Sequence, residues 1–182
     1  MDVSIFQFLN GFAGRSPFLD GVIVFFGERY IYFVVAFVVS LAIFAFARQQ
    51  PRLIETATLS LLSGALSFVL ATTIKLLTHR SRPFLVMHVK QLLSDSSFAF
   101  PSGHTTFLCA MAVAAFPEER ALGAIMFASA ILVGSGRIAA GIHWPSDVIG
   151  GLLVGTAMGV ATRMVWRHFR RQYANVSPVA FK

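Results

Sequence analysis

The sequence predicts an all-α polytopic membrane protein, a helical bundle of five clear spans preceded by an N-terminal re-entrant hairpin or a sixth span. Three observations predict it. Of the 182 residues, 56% are hydrophobic and only 13% charged, about half the charge of an ordinary soluble domain. The apolar residues are gathered into runs close to the roughly 20 residues a helix needs to cross a hydrocarbon core. The runs break at Pro and Arg clusters that suit turns at a membrane boundary. The length fits one domain, residues 1–182.

The first clear span covers residues 30–47, rich in Phe, Val, Ile and Ala, and ends at Arg48. Pro51 and Arg52 turn the chain into a second span, residues 53–77, which admits only Glu55 near its start and Lys75 near its finish. A polar loop, residues 78–101, follows. Residues 104–116 read as a short third span, closed by the Pro117-Glu118-Glu119-Arg120 turn, and residues 121–140 return across the membrane. The last span, residues 147–166, carries Gly150, Gly151, Gly155 and Gly159, a spacing of small residues that allows close helix approach in lipid. Ahead of residue 30 lie two shorter apolar pieces, residues 3–13 and 17–26, each too short to span alone. Asp2 stands where a signal peptide would carry basic residues, so this region is read as a retained hairpin at the interface, with one kinked span as the alternative.

Alternation of five spans puts Arg48, Arg52, Arg120, Arg167, Arg170, Arg171 and Lys182 on one side, which the positive-inside bias makes cytoplasmic. The loops that hold the chemical residues, 78–103 and 141–146, then face outward. The formal charge of +7 serves orientation and an anionic ligand, since the basic residues form no aromatic-interleaved stripe of the kind that binds nucleic acid. Cys109 has no partner for an intrachain disulfide and reads as packing.

Three segments gather at the outer boundary. In the first, Lys75 and Arg82 stand seven residues apart before Pro83, two helical turns that would place both cations on one face if the helix continued. In the second, Pro101-Ser102-Gly103-His104 opens an apolar helix, where backbone N–H groups and a Ser hydroxyl suit phosphate oxygens and Gly permits close approach. In the third, Arg137 is followed by His143 and Asp147, spaced so that the carboxylate can fix the imidazole tautomer and leave the other nitrogen free to attack. Cations that clamp phosphoryl oxygens, a nucleophile His143 oriented by Asp147, and His104 as general acid make a phosphoryl-transfer site through a phosphohistidine. No His, Cys, Asp and Glu cluster has metal-ligand spacing, so no metal and no cofactor are expected.

These segments resemble the three motifs of the type 2 phosphatidic acid phosphatase superfamily, Lys-x6-Arg-Pro, Pro-Ser-Gly-His and Ser-Arg-x5-His-x3-Asp, in order from Lys75 to about Gly151. One position departs: Gly136 precedes Arg137 where the motif has Ser. The resemblance implies six membrane helices, metal-independent hydrolysis of lipid phosphates or diphosphates, catalysis by His143, His104 and Asp147, and phosphate binding by Lys75, Arg82, Ser102, Gly103 and Arg137. The opening Ile5-Phe6-Gln7-Phe8-Leu9-Asn10-Gly11 and Ser16-Pro17-Phe18-Leu19-Asp20 are similar to the bacitracin-resistance branch, whose bacterial undecaprenyl-diphosphate phosphatases act on the outer face of the cytoplasmic membrane. The expected partners are a lipid phosphate or diphosphate and the surrounding lipids. Phosphatidic acid, phosphatidylglycerol phosphate and lipid A phosphate are the alternative substrates, and a non-catalytic lipid-phosphate binder or transporter is the alternative class. Arg80 is an accessory candidate that would adjust the phosphate field, His79 an outer-loop residue, His88 a solvated one, His168 a headgroup contact, and Trp144 and Trp166 interfacial anchors, with a place beside the site as the alternative for Trp144.

Overall fold

The computed structural model describes residues 2–176, with side chains through residue 172, and these residues form helices and connecting turns with no strand among them. Lys182, counted above with the basic end, lies outside the described residues. The helices are α1 (Asp2–Asn10), α2 (Pro17–Val24), α3 (Tyr30–Ala47), α4 (Pro51–Thr78), the single turn α5 (Pro83–Val86), α6 (Gly103–Ala115), α7 (Arg120–Ala139) and α8 (Pro145–Val176). Those long and apolar enough to cross a membrane are Pro17–Ala47, Pro51–Val86, Arg120–Ala139 and Pro145–Gln172, while Gly103–Ala115 is apolar but shorter. The chain is a multi-pass membrane protein.

The five apolar runs of the sequence correspond to α3, α4, α6, α7 and α8. The N-terminal expectation needs correction. Residues 17–26 are no limb of a hairpin: α2 runs through a π-helical turn (Phe25–Arg29) straight into α3, giving one helix of 31 residues, Pro17–Ala47. Ser16 caps its start by accepting the Leu19 N–H at 3.2 Å, and Pro17 occupies the first turn, where a missing N–H costs nothing. Only α1 stands apart, packed on α7 and α8.

α6 lies at the centre, against α4, α7 and α8, and most of its residues are buried. In lipid, apolar area alone does not hold helices together, so close backbone approach must. α8 supplies it: a Cβ on Gly155 would lie 2.5 Å from the Thr106 carbonyl oxygen, and one on Gly159 2.7 Å from Val113 Cβ. α4 faces α6 with Ser60, Ser63, Gly64 and Ser67 buried. The hydroxyls of Ser60 and Ser67 bond back to carbonyls of their own helix at 2.8 and 2.7 Å, which satisfies these polar groups without water. Phe33, Phe37, Phe44 and Phe46 of α3 are exposed, as suits side chains on the lipid side of a membrane helix. At the far end of the bundle, Trp166 Nε1 donates to Glu55 at 2.7 Å and Arg163 pairs with Glu118.

Candidate active site

Lys75, Arg82, His104, Arg137, His143 and Asp147 come from four different helices and loops and converge at the end of the bundle opposite Trp166. The route differs from the one expected for the first pair. α4 ends at Thr78, and His79 takes a left-handed conformation, φ 48°, so Arg82 is delivered by the loop rather than by two further turns of helix. Pro83 then starts the short α5.

Each cation is anchored on main-chain carbonyls. Arg82 donates from Nε to the Ser97 carbonyl at 2.6 Å and from one terminal nitrogen to that of Ile142 at 2.7 Å. Arg137 donates to the Gly27 carbonyl at 3.0 Å, and Lys75 to the Phe98 carbonyl. All three are buried, a placement costly for a charge unless it is paired or functional. Arg137 Nε is buried and has no partner among the described residues, a donor free for an anion's oxygen.

The imidazoles face this group. His143 Nε2 lies 3.5 Å from a terminal nitrogen of Arg82, and His104 Nε2 lies 3.5 Å from one of Arg137. His143 Nδ1 is 3.3 Å from Asp147 Oδ2, at the long end for a hydrogen bond. A carboxylate only accepts, so the proton sits on Nδ1 and the Nε2 lone pair points at the cations. α8 begins at Pro145, two residues after His143, so Asp147 reaches back from the first turn of the helix rather than across one turn. The same oxygen accepts the Trp144 N–H at 2.8 Å, which makes Asp147 both helix cap and imidazole partner. His143 lies in the loop between spans and is 1% exposed; burial, followed by the positive charges of Arg137, Arg82 and Lys75, holds its pKa well below the usual 6.5.

Ser102 is buried ahead of α6, where its N–H donates to the Asp147 carbonyl at 2.9 Å and its hydroxyl accepts from Thr105 Oγ1 at 3.0 Å. The second motif is thereby tied to the third. Gly103 and His104 line one end of an apolar groove of about 790 Å³ that runs along α3 and α4 past Ile31, Val35, Phe68 and Val69.

Two assignments change. Trp144 borders the site instead of standing at the interface: it is 8% exposed, donates from Nε1 to the Ser81 carbonyl at 3.1 Å, and packs on Phe6 of α1 with ring centroids 5.2 Å apart and the planes tilted by 52°. Arg80 bonds not toward the cations but to Asp147 Oδ1 at 2.7 Å, and its other terminal nitrogen meets Asp2 at 2.8 Å. Asp2 also accepts the Ser146 N–H at 2.9 Å, so α1 braces the loop that carries His143. His88 and His168 are exposed.

The structure also brings in a residue that no motif marks. Asp95 Oδ2 lies 2.7 Å from Arg82 and 3.0 Å from Arg137. Burial raises its pKa, but the Ser97 N–H and the two guanidinium groups outweigh that and hold the carboxyl below its usual value. A signal for it existed: Asp95 is the one acidic residue in the basic stretch from Lys75 to His104.

Gly136 has a steric reason to depart from the motif's Ser. A Cβ there would lie 2.7 Å from the Gly27 nitrogen and 3.0 Å from its Cα, where α7 crosses the π-helical turn. That crossing lets the Gly27 carbonyl reach Arg137. Gly136→Ser is expected to destabilise the fold by about 1–3 kcal/mol through overpacking against backbone. Thermal unfolding in detergent checks this, and an unchanged midpoint would show that the two segments part without cost.

The chain is 32% identical over 161 residues to undecaprenyl-diphosphatase BcrC of Bacillus subtilis (strain 168), covering 87% of this chain and 81% of that one. It is 27% identical to an undecaprenyl-diphosphatase of Sulfolobus acidocaldarius over 85% of this chain and 73% of the relative. Among solved structures, Aquifex aeolicus LpxE superposes with a TM-score of 0.65 at 26% identity, covering 90% of this chain and 94% of that one. A PAP2 type phosphatidylglycerolphosphate phosphatase from Bacillus subtilis shares the fold, with a TM-score of 0.67 at 22% identity over 92% of this chain and 85% of that one. The profile of the PAP2 superfamily matches residues 30–171, from the start of α3 to the basic end of α8, and the chain belongs to that superfamily.

Proposed function

We propose that this protein hydrolyses undecaprenyl diphosphate to undecaprenyl phosphate and orthophosphate through a phosphohistidine. The observation that carries the reading is the continuity of the apolar groove with the cationic end: the groove terminates at Gly103 and His104, beside Arg137. A long hydrocarbon tail fits its walls while the head group meets Lys75, Arg82 and Arg137. The relatives named undecaprenyl-diphosphatase support the choice of tail.

In the first step His143 Nε2 attacks the terminal phosphorus, and the bond from that phosphorus to the bridging oxygen breaks. His104 protonates the departing lipid phosphate. Lys75, Arg82, Arg137 and the backbone N–H groups at the start of α6 clamp the equatorial oxygens, on which charge is distributed in the transition state. Asp147 balances the imidazolium formed on His143. In the second step His104 takes a proton from water, the hydroxide oxygen bonds to phosphorus, and the P–N bond breaks to release orthophosphate and neutral His143.

This chemistry is complete without a metal, and among the described residues no group of three His, Cys, Asp or Glu is placed to hold one. The basic residues Arg48, Arg52, Arg120, Arg167, Arg170 and Arg171 lie at the other end of the spans, which supports a site on the periplasmic face of a bacterial cytoplasmic membrane. The test is phosphate release by the purified protein from matched lipids, with and without chelator. Release should be fastest from the isoprenoid diphosphate and unaffected by chelation. Faster release from phosphatidic acid, phosphatidylglycerol phosphate or lipid A phosphate would reassign the substrate, and rescue by a divalent ion after chelation would overturn the metal-free scheme.

A further inference from the structure

We propose that Asp95 is a built-in competitor for the phosphoryl site, a carboxylate that an incoming phosphoryl group must displace from Arg82 and Arg137. The inference rests on the functional reading above and deepens it.

The geometry is that of an anion in a clamp. A single oxygen of Asp95 is held by Arg82 at 2.7 Å and by Arg137 at 3.0 Å, and these same guanidinium groups carry the nitrogens lying 3.5 Å from His143 and His104. A phosphoryl oxygen bound by both arginines in reach of both imidazoles needs that position. The carboxylate is not merely swept in by a mobile loop. Ser97 holds its other oxygen through its N–H at 3.0 Å and its hydroxyl at 2.9 Å. On the other side the Leu92 N–H is bonded to the Ala140 carbonyl at 3.0 Å, and the Leu93 side chain is buried. Asp95 therefore rides on a short excursion of chain pinned at both ends. It remains 25% exposed, so its side chain can turn out toward water when a ligand takes its place.

Exchange of one anion for another has a direct consequence for affinity. With Asp95 seated, Lys75, Arg82 and Arg137 present a net charge lowered by one, and an incoming ligand must break two charge-assisted bonds before it makes its own. The cost is the same for every phosphoryl ligand that takes the position, so it weakens them alike and leaves their ranking to the rest of the site.

The experiment uses the full chain in detergent and inorganic ions as probes. Orthophosphate and pyrophosphate binding are read from the rise in melting temperature with concentration, for the wild type and for Asp95→Asn. Asp95→Asn is expected to bind orthophosphate and pyrophosphate each about tenfold more tightly, with the ratio of the two affinities unchanged. Weaker or unchanged orthophosphate binding would overturn the proposal and show that the carboxylate serves to hold the arginines in place. Tightening confined to one of the two ions would overturn a penalty common to every phosphoryl ligand. Asp95→Ser supplies the same comparison if the Asn variant fails to fold. Binding is read here without turnover, so a wild type inactive on lipid diphosphate would defeat the functional reading while leaving the role of Asp95 to be decided by the same curves.

Discussion

His143→Ala should release phosphate at about 10⁵–10⁶-fold below the wild-type rate, the loss that accompanies removal of a covalent nucleophile. Lipid binding should largely survive, because Lys75, Arg82 and Arg137 are anchored on backbone carbonyls and do not depend on the imidazole. Phosphate release and lipid binding measured on one preparation check both halves. Undiminished release would reject the nucleophile, and a binder or transporter would show no release in either protein. The pH behaviour follows from the same burial. With its pKa well below 6.5, His143 is neutral through the neutral range, so no acid limb near pH 6.5 should arise from it. Folding is linked with a definite sign. Between the depressed folded value and 6.5 the unfolded chain binds a proton that the folded chain excludes, so stability falls as pH drops below 6.5 and is unaffected above it.

Asp147→Asn should lower kcat by about 10³–10⁴-fold with little change in KM, the scale on which an imidazole nucleophile or base depends on its carboxylate. The reason is the tautomer. Asp147 Oδ2 serves both His143 Nδ1 and the Trp144 N–H, so an Asn amide that keeps its oxygen there faces Arg80 with its NH2, and one turned the other way presents its NH2 to His143 and to the Trp144 N–H. Donation to Nδ1 moves the ring proton to Nε2 and removes the attacking lone pair; facing Arg80, it sets a donor against a donor. Parallel loss of kcat and kcat/KM is the expected signature. A rise in KM alone would mean that Asp147 shapes the phosphate site instead of the nucleophile.

The boundaries of α3, α4, α6 and α7 were legible to within two residues because a membrane span needs an unbroken apolar run, whereas α8 continues ten residues beyond its apolar run, through a basic stretch, to Val176. The link between α2 and α3 was not, because Asp20 and the Gly27-Glu28-Arg29 triplet interrupt the hydropathy of what is one helix. A π-helical turn there brings the Gly27 carbonyl to Arg137, a tertiary need that local sequence does not announce. The chemical residues were legible where fixed spacing ties types together, as in His143 and Asp147. Arg80 was visible as a nearby cation but not as the partner of Asp147, since its direction depends on where the loop after Thr78 turns. Asp2 and Asp95 carry no spacing signal at all. Their partners lie far along the chain, and only folding makes them neighbours.

The groove beside α3 and α4 is walled by side chains that are themselves half open to the surroundings, Tyr32 and Val69 among them, so its mouth is on the flank of the bundle. Substrate on that path travels within the leaflet and never crosses bulk water. The working concentration is then a mole fraction in the surface, and detergent alkyl chains occupy the same slot as solutes of equal rank. Rates taken in micelles should fall as inert detergent is added at constant bulk lipid, and comparisons between substrates hold only when the surfactant ratio is kept fixed.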